Sequence, residues 1–88
     1  MNNRLSDLLK VINNAGGSFI ISQLNPDSTT VVVIAEFNNE QIRNAVLSIN
    51  QIGLSAIITE PEILVIAASY TQEEIEHARF EYGWKAVI

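Results

Sequence analysis

Residues 31–37 read Val31-Val32-Val33-Ile34-Ala35-Glu36-Phe37, and residues 64–70 repeat the pattern as Leu64-Val65-Ile66-Ala67-Ala68-Ser69-Tyr70. Glu40, Ile42 and Ala45 follow the first stretch at the spacing at which Glu73, Ile75 and Ala78 follow the second. A weaker likeness matches residues 53–58 with 83–88, and residues 18–22 with 55–59. This repetition limits the fold more than any bulk property does, because each unit is a strand-and-helix element that cannot bury its apolar face alone. At 88 residues the two units must share one core, so residues 1–88 are expected to be a single domain.

The rest of the chain supplies the partners of these units. Leu5, Leu8, Leu9 and Ile12 recur at helical spacing and predict an amphipathic helix over residues 3–14, stopped by Gly16 and Gly17. Residues 18–24 and 29–37 read as a hairpin around the turn-forming Asn25, Pro26, Asp27 and Ser28. A second helix spans 39–51, with Asn38 and Gln41 spaced as a capping box and Ile42, Ala45, Val46 and Ile49 as its inner stripe. Strands at 54–59 and 62–68 then flank a turn at Glu60 and Pro61. A third helix covers 72–82, with Thr71 and Glu74 as its capping box and Ile75, Ala78 and Tyr82 inward, and Gly83 leads into a last strand at 84–88.

Two consecutive βαβ units joined by a hairpin predict an α+β fold of the ferredoxin-like βαββαβ kind. An extra N-terminal helix and strand extend an antiparallel sheet that carries its helices on one face. Yet the strands are apolar on both alternations: Val31, Val33 and Ala35 point one way while Val32 and Ile34 point the other. Something has to cover the second face, so a homo-oligomer is expected, with Ile20, Val32, Ile34, Leu47 and Ile57 as its interface residues, or with strands paired edge to edge.

The run from Leu5 to Ile58, with its opening helix, Gly17, the hairpin, the Val31–Ala35 strand, the helix around Ala45 and Gly53 before a further strand, resembles an ACT domain. The resemblance covers roughly two-thirds of the chain and implies a ferredoxin-like module that senses amino acids and pairs through its sheets or helices. An ACT ligand loop, with its Pro-Gly step, lies between a first strand and the first helix, whereas this sequence opens on the helix. No ligand-binding residue is therefore carried over.

Composition narrows the function classes. A net charge of −5, with Arg4, Lys10, Arg43, Arg79 and Lys85 scattered, argues against direct nucleic-acid binding, which needs clustered cations. The chain has no cysteine, residues 1–10 lack the apolar core of a signal peptide, and no run approaches a membrane span. A cytoplasmic location with no membrane role is expected. His77 is the single histidine and no nucleophile elbow accompanies it, so no catalytic residue is assigned and the chain is expected not to be an enzyme. Glu73, His77 and Glu81 share a helix line, but any solvated helix presents such a line, and neither a metal nor a cofactor is expected. Glu60 and Glu62 flank a turn where solvent keeps both ionised, and Gly16-Gly17 ends a helix where a phosphate cradle would begin one.

Two positions break the apolar periodicity. Leu47 lies off the inner stripe of the second helix, and its repeat equivalent on the third helix is Phe80. The outer line of that third helix runs Glu73, Glu76, His77, Phe80, acidic with one aromatic, and Trp84 follows it. These five residues are the expected docking surface for another protein with a basic surface. An inhibitor or antirepressor of a DNA-binding regulator fits that description.

Overall fold

The computed structural model describes residues 3–23, 27–60 and 62–84. In chain order the elements are α1 (Arg4–Asn14), β1 (Ser18–Gln23), β2 (Thr30–Glu36), α2 (Asn39–Gln51), β3 (Ile57–Glu60), β4 (Ile63–Ser69) and α3 (Gln72–Tyr82). The fold is α+β, with three helices against a four-stranded antiparallel sheet, consistent with the ferredoxin-like class.

Local chemistry explains the boundaries. The side chain of Asn3 caps α1 by accepting the Ser6 N–H at 2.9 Å. At the other end Gly16 adopts φ 78°, and the Gly17 N–H donates to the Ile12 carbonyl at 2.9 Å, a left-handed stop that any Cβ would strain. Gly17 itself is required by space, since a Cβ there would lie 2.5 Å from the Phe37 ring. At α3 the capping box forms as expected, with Thr71 Oγ1 accepting from the Glu74 N–H at 3.1 Å and Glu74 Oε1 accepting from the Thr71 N–H at 3.0 Å.

The structure departs from the sequence expectation at three places. Asn38 takes the extended N-cap conformation but makes no side-chain hydrogen bond, so the capping box expected at α2 does not form. Gln41 instead turns toward α1, where its Oε1 is buried without a partner. The strand expected at 54–59 is displaced to Ile57–Glu60, because Leu54 is drawn into the core as the chain leaves α2, its N–H donating to the Ile49 carbonyl. Trp84, expected to open a last strand, is not in a strand; residues 85–88, like Asn25, Pro26 and Pro61 of the expected turns, lie outside the described residues.

The sheet order is β1-β2-β4-β3. Every neighbouring pair is antiparallel, and β3 meets β4 with a register shift between Ile58 and Glu60. Val31, Val33 and Ala35 of β2 and Leu64 and Ile66 of β4 are fully buried, and with Leu5, Leu8, Leu9, Ile12, Ile42, Ala45, Ile49, Ile75 and Ala78 they form one core between sheet and helices. Within the helix layer α1 packs against both α2 and α3 and so lies between them.

Candidate interaction surfaces

Residues opposite one another on neighbouring strands share a face, so the register defines what the uncovered side of the sheet presents. One row crosses all four strands: Ile20 pairs with Ile34, Ile34 with Val65, and Val65 with Ile57. Ile20 is 69% exposed, Ile34 39% and Ile57 64%, while Val65 is half-buried. The next row is Ser22, Val32 and Ala67, and beyond it stand Thr30 and Ser69. In the opposite direction Ser18 pairs with Glu36, and Glu36 and Glu60 both pair with Ile63. Four of the five residues expected at an oligomer interface therefore stand together, with Val32 one row from Ile20, Ile34 and Ile57. Leu47 is separate, exposed on α2 in the other layer.

The residues expected to dock a partner also divide. Glu73, Glu76 and His77 are exposed along α3, and Phe80 is 93% exposed, a large aromatic with almost no cover. Trp84 is half-buried against the core, with the Arg79 guanidinium 5.9 Å from its ring centre and its Nε1–H buried without an acceptor. The structure thus groups the first four on the outside of α3 and sets Trp84 beneath its end. Beside Trp84, Arg79 donates to Oε1 of the fully buried Gln23 at 2.7 Å, and Gln23 donates to the Ser28 carbonyl at 2.8 Å, which ties α3 to the end of β1.

Grooves run along both sides of α1. Toward α3, a groove of about 490 Å³ is lined by Asn3, Ser6, Asp7, Lys10, His77, Glu81 and Tyr82. Burial, followed by the charges of Glu81 and Asp7, pushes the Tyr82 hydroxyl above its ordinary pKa. His77 Nε2 lies 3.9 Å from Glu81 Oε2. No group of three or more His, Cys, Asp or Glu among the described residues is placed to hold a metal ion. Toward α2, a groove of about 420 Å³ is lined by Val11, Asn14, Ala15, Gln41, Asn44, Ala45 and Ser48 and carries no charge.

A cluster that sequence reasoning missed locks the start of the chain to α3. Glu74 accepts from the Arg4 backbone N–H at 2.9 Å and from its guanidinium at 3.4 Å, while Asn3 Nδ2 donates to the Glu74 carbonyl at 3.0 Å. Arg4 also donates to the Ser69 carbonyl at 2.9 Å and lies over the Tyr70 ring, 5.2 Å from its centre. Burial raises the Glu74 carboxyl, but the Thr71 N–H and Arg4 outweigh it and hold the pKa at about 2. Burial also pushes the Tyr70 hydroxyl up to about 12, against the lowering effect of Arg4. No local pattern announces this cluster, because its members are separated by almost the whole chain.

Among the described residues these features define a two-layer α+β protein with one uncovered apolar sheet face and an acidic outer helix. Among known proteins, no family model matches the chain, and no curated protein or solved structure matches it. No helix among the described residues is long and apolar enough to cross a membrane.

Proposed function

We propose that this chain is a non-enzymatic, cytoplasmic interaction protein that self-associates and binds a second protein with a basic surface in order to modulate it, as an inhibitor or antirepressor of a DNA-binding regulator does. The observation that carries this reading is Phe80, which stands 93% exposed within the acidic line Glu73, Glu76 and His77. An aromatic left in water on a helix gains most when a partner desolvates it, and the carboxylates around it favour a cationic partner. DNA-binding surfaces are cationic for the same electrostatic reason, so an acidic helix competes with phosphate for them. With this reading goes the finer topology, a ferredoxin-like core of β2-α2-β3-β4-α3 to which α1 and β1 are additions.

A second reading, an ACT-like amino acid sensor, is favoured by one observation: the uncharged groove between α1 and α2, into which three amide side chains open and where Gln41 Oε1 lacks a partner. Capture from the native host with this chain as bait, followed by titration of the captured protein against wild type and Phe80→Ala, tests the first reading. Equal affinity for both forms would refute it. Melting with a panel of amino acids tests the second, since a ligand at a hundred times its Kd adds about 2.7 kcal/mol.

A further inference from the structure

We infer that the uncovered sheet face is closed by a second copy of this chain, face to face about a two-fold axis that lies between the Ile20-Ile34-Val65-Ile57 row and the Ser22-Val32-Ala67 row. This rests on the self-association named above and adds the surface, the symmetry and the contacts.

Charge selects the occupant. The central rows of the face carry no ionisable residue, and Glu36 and Glu60 both pair with Ile63 in its last row. For a chain of net charge −5, a patch that meets its own image has to be neutral at its centre, because like charges would face each other there. A basic partner would be recognised by clustered carboxylates, and α3 carries the exposed Glu73 and Glu76.

Shape selects the axis. One row is a ridge of branched side chains and its neighbour is a trough containing Ser22 and Ala67. A two-fold axis running between these rows, across the strands, exchanges them: the ridge of each copy enters the trough of the other. Ile20 then meets Ser22 of the second copy, Ile34 meets Val32, and Val65 meets Ala67. The same operation sets Glu36 over Thr30 of the second copy, so the carboxylates meet hydroxyls at opposite ends of the interface. Every contact occurs twice, as an isologous interface requires.

Area sets the strength. Strands about 4.8 Å apart, two of seven residues, one of six and one of four, rising about 3.3 Å per residue, give a flat footprint of roughly 380 Å² per copy. Two such footprints, enlarged by the relief of the side chains, come to roughly 1,000 Å² in total, the least that a specific interface buries. Interfaces of this size belong to weak or transient complexes, so the dimer should dissociate on dilution.

Sedimentation of the full chain, with circular dichroism on every variant, tests the inference. Wild type should sediment as a dimer at tens of micromolar, and Ile20→Glu and Ser22→Lys should each weaken it about a hundredfold, since each inserts an unpaired charge. Ile20 is largely exposed in the single copy and Ser22 faces outward on an edge strand, so both variants should keep the wild-type spectrum. An equimolar mixture of the two should recover a heterodimer, because this axis brings those two positions together. A monomeric wild type, including one whose face is covered by another protein, would overturn the inference. So would a dimer indifferent to Ile20→Glu or lost on Phe80→Ala, or a mixture that stays monomeric. Partner titration of the Ile20→Glu monomer keeps the two proposals apart, since retained binding through α3 has no bearing on the dimer axis.

Discussion

Val33 and Ile66 stand opposite each other in the central antiparallel pair, and they are also equivalent positions of the internal repeat. The shift that carries Val31 to Leu64 carries Val33 to Ile66, and the pair Val31↔Ala68 maps onto the pair Leu64↔Ala35. The register of β2 and β4 thus has its own two-fold axis, passing between Val33 and Ile66. It relates the β1-β2-α2 half to the β3-β4-α3 half, with α1 between the two helices.

Because Val33 and Ile66 fill the centre of the core from both halves, truncating either should destabilise the whole domain. Ile66→Ala should cost about 2–5 kcal/mol and Ile66→Val about 0.5–1.5 kcal/mol. Urea unfolding should show one transition with a lower midpoint in each case; two separate transitions would mean that the halves fold independently.

Glu74 should make stability depend on acid. Its folded pKa of about 2 lies below the ordinary value of 4.5, so its contribution is fully present above pH 4.5 and is lost as pH falls toward 2. Glu74→Gln should cost about 1 kcal/mol at neutral pH, from the lost charge assistance in the bonds to Arg4, because a glutamine at this position can still complete the capping box. The gap in melting temperature between variant and wild type should close between pH 4.5 and 2. A gap that stays constant would show that the carboxylate contributes nothing there.

Tyr70 should act at the alkaline end. Its folded pKa is raised to about 12 from 10.0, so the neutral hydroxyl contributes stability below pH 10 that is lost as pH rises toward 12. Its oxygen is buried without a hydrogen-bond partner, so Tyr70→Phe should be neutral or slightly stabilising near pH 7 and should flatten the alkaline loss. Melting of both proteins from pH 9 to 12 checks this.

Ile34→Asp and Lys10→Asp should behave differently. Ile34 lies partly exposed at the middle of the open face, so a carboxylate there should dissociate the dimer while leaving the single copy folded. Lys10 is exposed on α1, and its replacement should change stability by less than about 0.5 kcal/mol. Light scattering and melting on both variants decide the matter, and an Ile34→Asp dimer of wild-type affinity would contradict the expectation.

Phe80→Ala should leave the melting temperature nearly unchanged, because the ring has almost no contacts to lose. Its effect should fall on partner dissociation, whereas Glu73→Lys with Glu76→Lys should slow association and weaken the salt dependence of binding. Surface plasmon resonance at two ionic strengths separates the two effects.

The sequence by itself determined which residues face inward. The helical spacing of Leu5, Leu8, Leu9 and Ile12, the alternation of Val31, Val33 and Ala35, and the Thr71-Glu74 capping box are properties of a few neighbouring residues, and all hold in the fold. The exposure of Phe80 and Leu47 was legible for the same reason, as breaks in a local period. Only the tertiary structure decided what depends on distant segments meeting. That list includes α1 settling between α2 and α3, the alignment of Ile20, Ile34, Val65 and Ile57 in one row, and the Arg4–Glu74 contact. It also includes the losses: the Asn38 side chain makes no cap hydrogen bond, the Gln41 side chain lies toward α1, and Trp84 packs inward beside Arg79. Periodicity records the side of an element that leaves water, whereas register and order are set by which apolar surfaces fit together once the loops have closed.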